Sequence, residues 1–167
     1  MSGSIGGDRI KRAQVQPTVD KYEKEVLKGF PGYQKYEITG SYNAGTKSDH
    51  GDIDLCIWVN GGDIKAAKKN FKKYLESLPE DITPAFRWGR KEGEKAQLYG
   101  SIVTCQTPIF GEEDKFVQVD NIIVLTRQEL DFQKTFLNLN AQLQTLVTGL
   151  VKVLDKEMDE EGEYLIV

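Results

Sequence analysis

Apolar residues recur along this chain with two periods. In Pro17–Phe30 (PTVDKYEKEVLKGF), Val19, Tyr22, Val26 and Leu27 fall near helical spacing, Pro17 suits a first turn and Gly29 an end signal, which predicts an amphipathic helix. After Pro31-Gly32, the run Tyr33–Thr39 alternates only loosely, but its aromatics and its Gly-Ser ending favour a strand. Ser41–Gly51 is rich in Gly, Asn, Ser and Asp and reads as a loop with room for one helical turn. Alternation is strict in Asp52–Val59 (DIDLCIWV), a strand with Ile53, Leu55, Ile57 and Val59 on one face and Asp52, Asp54, Cys56 and Trp58 on the other. Asn60-Gly61-Gly62 breaks it. Asp63 then caps a helix whose apolar side is Ile64, Ala67, Phe71, Tyr74, Leu75 and Leu78, ending before Pro79. Downstream, Ala96–Thr104 and Lys115–Leu125 read as two strands separated by Pro108 and Gly111. Gln128–Leu139 and Gln142–Leu154 read as helices, the second with Leu143, Leu146, Val147, Leu150, Val151 and Leu154 on one stripe. Together these elements predict an α+β fold, a mixed β-sheet flanked by helices.

Composition places that pattern in one folded domain. The 167 residues are 39% hydrophobic and 29% charged, ordinary for a globular chain, and a chain of this size buries about 70% of its unfolded surface without needing a disulfide. No apolar run is long enough for a membrane span, and Met1–Gly7 has neither the basic start nor the apolar middle of a signal peptide. Cys56 and Cys105 sit within apolar runs and read as buried free thiols of a reducing compartment. The expectation is therefore one cytoplasmic domain over residues 1–167 with no membrane partner, a flexible lead over 1–8 and an acidic tail over 155–167. The abrupt apolar end Leu165-Ile166-Val167 is also what a strand cut short would look like, in which case the domain is the N-terminal part of a longer protein. A net charge of −4 excludes a general polyanion binder, so any nucleic-acid contact is local.

The chemistry concentrates in Gly40–Leu55, GSYNAGTKSDHGDIDL. Gly40 lets the backbone approach a ligand closely, and Ser41 offers a hydroxyl and an N–H to a phosphate oxygen, an arrangement suited to a triphosphate tail. Asp52 and Asp54, at i and i+2 of a strand, point to the same side and can hold one or two Mg2+ ions. A third acid would complete the cage. Asp120, in the apolar run Phe116–Leu125 (FVQVDNIIVL), is the candidate, since an isolated carboxylate inside a central strand is costly unless paired or metal-bound. Lys47, in the loop, is within reach of a phosphate, although loop lysines are usually only solvated.

Gly-Ser, a spacer, acid-hydrophobic-acid, and a later strand with a third acid: in this order residues 34 to 125 resemble the nucleotidyltransferase superfamily. That superfamily includes DNA polymerase β, CCA-adding enzymes, aminoglycoside nucleotidyltransferases and the oligoadenylate and cyclic-dinucleotide synthases. Gly40, Ser41, Asp52, Asp54 and Asp120 take its motif positions, Gly45-Thr46 fits its spacer, and Gly51 stands where a Ser is frequent. The resemblance implies a polymerase β-like core in which Asp52 and Asp54 ligate both metals, Mg2+ or Mn2+, while Asp120 ligates one and helps deprotonate the acceptor hydroxyl. It implies transfer of a nucleoside monophosphate from an NTP, ATP foremost, with release of pyrophosphate. The acceptor is left open among a small molecule, a nucleic-acid 3′ end and a protein hydroxyl. Two rivals share the fold: a catalytically silent nucleotide-binding or protein-interaction module, and a toxin or defence enzyme that modifies a protein or tRNA.

Other features have plainer readings. His50, in the spacer loop, is expected to be an exposed hydrophilic residue. Lys65, Lys68, Lys69, Lys72 and Lys73 cover the outer face of an amphipathic helix and read as a solvated face rather than a nucleic-acid patch. Arg87, Trp88, Arg90 and Lys91 mix cations with an aromatic that could stack on a base, with packing of Trp88 the simpler reading.

Overall fold

The computed structural model describes residues 7–40, 42, 48–87, 91–137 and 150. These form an α+β fold: β1 (Ile10–Lys11), α1 (Arg12–Glu25), a 3-10 turn (Leu27–Gly29), β2 (Tyr33–Thr39), β3 (Asp49–His50), β4 (Asp52–Val59), α2 (Ile64–Ser77), β5 (Ala96–Tyr99), β6 (Ile102–Ile109), β7 (Glu112–Val124) and α3 (Arg127–Leu137). The five-stranded sheet has the order β2-β4-β7-β6-β5. Its central pair, β4 and β7, is parallel, with Asp54 opposite Asp120. The remaining pairs are antiparallel. β1 and β3 form a separate two-residue ribbon, with Ile10 opposite His50.

Strict alternation makes β4 two-sided. Ile53, Leu55, Ile57 and Val59 face one core, shared with Val117, Val119 and Ile123 of β7, Val15, Val19 and Tyr22 of α1, and Ala67, Phe71 and Leu75 of α2. Asp63 fixes the start of α2 by accepting from Lys65 N at 3.0 Å. On the opposite face, Cys56, Val124 and Leu130 of α3 form a smaller cluster, with Trp58 and Ile122 against it. Both cysteines are buried and free.

Three expectations need correction. The first helix begins at Arg12, ahead of Pro17, which lies inside it. Proline removes one helical hydrogen bond; burial of Val15, Thr18, Val19 and Tyr22 on one face offsets that loss. Ala96–Thr104 is not one strand, because it folds back at Gly100, whose φ is +60°, into the hairpin β5–β6. Pro108 does not separate strands either. It lies within β6 opposite Phe116, beyond the end of the β5 pairing at Cys105, where a missing N–H interrupts no ladder on that side. The hairpin to β7 turns instead at Phe110-Gly111. Of the predicted helix Gln142–Leu154, only Leu150 lies within the described residues, and it is exposed. Among the described residues no helix is long and apolar enough to cross a membrane.

Candidate functional site

Three carboxylates meet where the sheet face is not covered by α3. Asp52 and Asp54 come from the start of β4, two residues apart and so on one side. Asp120 comes from β7 and is brought beside Asp54 by the parallel register. One carboxylate oxygen from each lies within 4.8 Å of the others. Asp120 is 4% exposed, whereas Asp52 and Asp54 are only partly buried.

The surroundings hold these groups in place. Asp120 Oδ1 accepts from Thr104 Oγ1 at 3.0 Å and from Gln118 Nε2 at 2.9 Å. Both bonds land on one oxygen, which fixes the rotation of the carboxylate, as outer partners of metal ligands do. Gly40, at the end of β2, has φ +79°, and a Cβ there would run into the Asp54 carboxylate. Glycine is therefore required twice over at position 40, by backbone conformation and by contact with Asp54. Burial, then the charge of Asp52, then that of Asp120 push the Asp54 carboxyl up to about 7. Three carboxylate oxygens this close could hold a hard divalent cation, and such a cation would relieve the repulsion that raises Asp54.

The structure thus brings together Asp52, Asp54, Asp120 and Gly40. Ser41, Lys47 and the spacer pair Gly45-Thr46 lie outside the described residues, as do Trp88 and Arg90. His50 corrects the expectation of an exposed loop residue: it is 2% exposed, held in β3 opposite Ile10, with its ring 5.9 Å from that of Tyr42. Arg87 is structural here, donating to the Asp114 carbonyl at 2.8 Å and lying 4.1 Å over the Phe116 ring. Lys65, Lys69 and Lys73 are exposed and Lys72 pairs with Glu76 at 3.2 Å, the solvated face that the helical pattern predicts.

Three side chains near the site lie outside the motif read from the sequence: Thr104, Gln118 and Arg9. Thr104 reaches Asp120 only through strand register, which no local spacing reveals, whereas Gln118 lies two residues before Asp120 on β7, so the same-face spacing of a strand was its available signal. Arg9 reaches the loop before Asp52 from the start of the chain, where its Nη2 lies 2.7 Å from Asp49 Oδ1. The alternation Arg9-Ile10-Lys11, with the apolar residue between two cations, was the only available signal.

No protein-family model matches the chain, and a search of curated proteins finds no match.

Proposed function

We propose that this domain is a metal-dependent nucleotidyltransferase with a polymerase β-like core, transferring a nucleoside monophosphate from an NTP, ATP foremost, to a hydroxyl acceptor in the cytoplasm. The observation that carries the reading is the convergence of Asp52, Asp54 and Asp120 within 4.8 Å, on adjacent parallel strands, beside a glycine at which any side chain would collide with the Asp54 carboxylate. An ordinary structural role explains this poorly. Three carboxylates at such spacing repel one another, and Asp54 shows the cost in its raised pKa.

Asp52, Asp54 and Asp120 would hold Mg2+ or Mn2+, and a bound pair of such ions supplies charge stabilisation to the attacking and leaving oxygens of an in-line displacement. The protein's own part is positioning. Thr104 and Gln118 keep the Asp120 carboxylate turned toward Asp54. Asp120 is then the acid beside which an acceptor hydroxyl would lose its proton. Gly40, lacking a side chain, leaves room for the Asp54 carboxylate, and Ser41 would offer its hydroxyl and N–H to the phosphates. Pyrophosphate is the leaving group.

The acceptor is the open part of this reading. A screen of labelled NTPs in Mg2+ or Mn2+ against small-molecule, nucleic-acid and protein acceptors tests turnover and acceptor together. Incorporation of label that requires all three aspartates supports the proposal. Nucleotide binding without turnover on any acceptor class would favour the silent module of the same fold.

A further inference from the structure

We propose that Arg9 is a phosphate-binding residue of this site, placed to hold an oxygen of the NTP triphosphate and of the pyrophosphate released from it; the assignment rests on the nucleotidyltransferase reading above.

The backbone around Arg9 is fastened on both sides. Asp8 N donates to the Phe116 carbonyl at 2.6 Å, and Phe116 N donates to Asp8 Oδ2 at 2.9 Å, so residue 8 lies along β7 just ahead of Gln118 and Asp120. Ile10 is fully buried and pairs with His50. Between these anchors the Arg9 side chain passes to the segment that leads into Asp52.

Its guanidinium is held there by one charged hydrogen bond and lies beside a glycine. Asp49 Oδ1 takes Nη2 at 2.7 Å, and Gly51 leaves the space beside Nη1 open, since a Cβ at position 51 would lie only 3.3 Å from that nitrogen. Gly51 directly precedes Asp52, and the charge of Asp52 acts on the guanidinium in addition to the stronger hydrogen bond and charge of Asp49. The side chain is 60% exposed, so an incoming ligand can reach it.

Chemistry then narrows the role. A guanidinium carries five N–H donors, and one carboxylate engages at most two of them, so the pair with Asp49 orients the fork without using it up. An exposed ion pair adds little to stability, which makes a purely structural purpose a weak reason to hold an arginine at the edge of an acid cluster. Arginine matches phosphate oxygens in a planar, two-point geometry that lysine lacks.

The test is a set of titrations on the full chain. Mn2+ alone would be followed by electron paramagnetic resonance, and α,β-methylene-ATP and pyrophosphate in Mg2+ by calorimetry, for wild type, Arg9→Ala and Arg9→Lys, with metal-free melting as a fold control. The expected result is that Arg9→Ala binds Mn2+ as well as wild type or better, while both phosphate ligands weaken by about tenfold to a hundredfold. Arg9→Lys should recover part of that loss, as a point charge without the fork. Unchanged affinity for both phosphate ligands in Arg9→Ala would overturn the role of Arg9 and leave the nucleotidyltransferase reading standing. A loss that follows a fall in melting temperature and in Mn2+ binding would overturn it as well, making Arg9 an anchor of the N-terminal segment. Failure of the wild-type chain to bind either phosphate ligand while still binding Mn2+ would overturn both readings.

Discussion

The two sides of β4 are built from alternate residues of one strand, and they obey opposite rules. On one side Ile53, Leu55, Ile57 and Val59 are each no more than 3% exposed and pack against α1 and α2. That side gains free energy with every methylene it removes from water. On the other side, Cys56 and Trp58 are covered by α3, but Asp52 and Asp54 face Asp120 and pay for it in repulsion and desolvation. The strand is therefore stabilised by one set of residues so that it can hold another set in an arrangement that is unfavourable without a ligand. Such local conflict with an otherwise consistent fold is where function is expected.

Neighbouring substitutions on β4 sharpen that contrast most strongly. Asp54→Asn should abolish divalent-metal binding and turnover while stabilising the metal-free protein at pH 8, by an amount of order 1 to 4 kcal/mol, because the neutral amide escapes the cost of ionising a buried, crowded carboxyl. Leu55→Ala should do the reverse, costing about 2–5 kcal/mol of stability and leaving metal affinity per folded molecule unchanged. Chemical denaturation with and without Mn2+ reads both. Destabilisation by Asp54→Asn would mean that the acid face of β4 carries no electrostatic penalty.

The pH dependence follows from the same carboxyl. Its folded pKa of about 7 stands above its unfolded value of about 4. Below about pH 4 the group is protonated in both states and contributes nothing to the difference. As pH rises from there to about 7, the unfolded chain releases the proton first, so metal-free stability falls, and above that range the loss is complete. Metal competes with the proton, so Mn2+ affinity should rise through the same interval. Melting curves from pH 4 to 8, with and without Mn2+, should diverge as pH increases.

Gly40→Ala tests how the sheet edge meets the acids. A side chain at φ +79° is strained and would displace the Asp54 carboxylate, so stability should fall by about 1–3 kcal/mol and metal affinity with it. The smallest effect is expected for Thr104→Val, which removes the hydroxyl donated to Asp120 and keeps the side-chain shape. Metal affinity should drop about tenfold with the fold intact, as metal titration and circular dichroism would show.

How much of this was legible in the sequence depends on the range of the interactions. β4 and α2 could be read because a strict two-residue alternation and a capped helical stripe are local patterns, and the observed bounds Asp52–Val59 and Ile64–Ser77 follow them. The acid trio was legible for a related reason: Asp52 and Asp54 share a strand, and Asp120 is a charge in a run too apolar to hold one idly. Pro17 is a local signal of a helix start that burial of α1 outweighs. Gly100 gives no clear break in the pattern, because apolar residues, Leu98-Tyr99 and Ile102-Val103, flank it on both sides. Asn121 shows a deeper limit. It is fully buried on the α1 side of β7, accepting from Tyr22 Oη at 2.9 Å and donating to the Val103 carbonyl at 2.8 Å, partners that only the folded sheet brings near. Arg9 is the same case, since only the fold brings it to Asp49.

The proposed function requires that Asp52, Asp54 and Asp120 form one divalent-metal centre that receives a nucleoside triphosphate. A titration of Mn2+ monitored by electron paramagnetic resonance, with and without α,β-methylene-ATP, on wild type and on Asp52→Asn, Asp54→Asn and Asp120→Asn tests it most directly. The account predicts saturable Mn2+ binding to wild type that tightens with the nucleotide analogue, loss of binding in Asp52→Asn and Asp54→Asn, and an Asp120→Asn protein that still binds the metal with its nucleotide but holds fewer ions. Mn2+ binding that is equal in all four proteins, or unaffected by the nucleotide analogue in wild type, would contradict it.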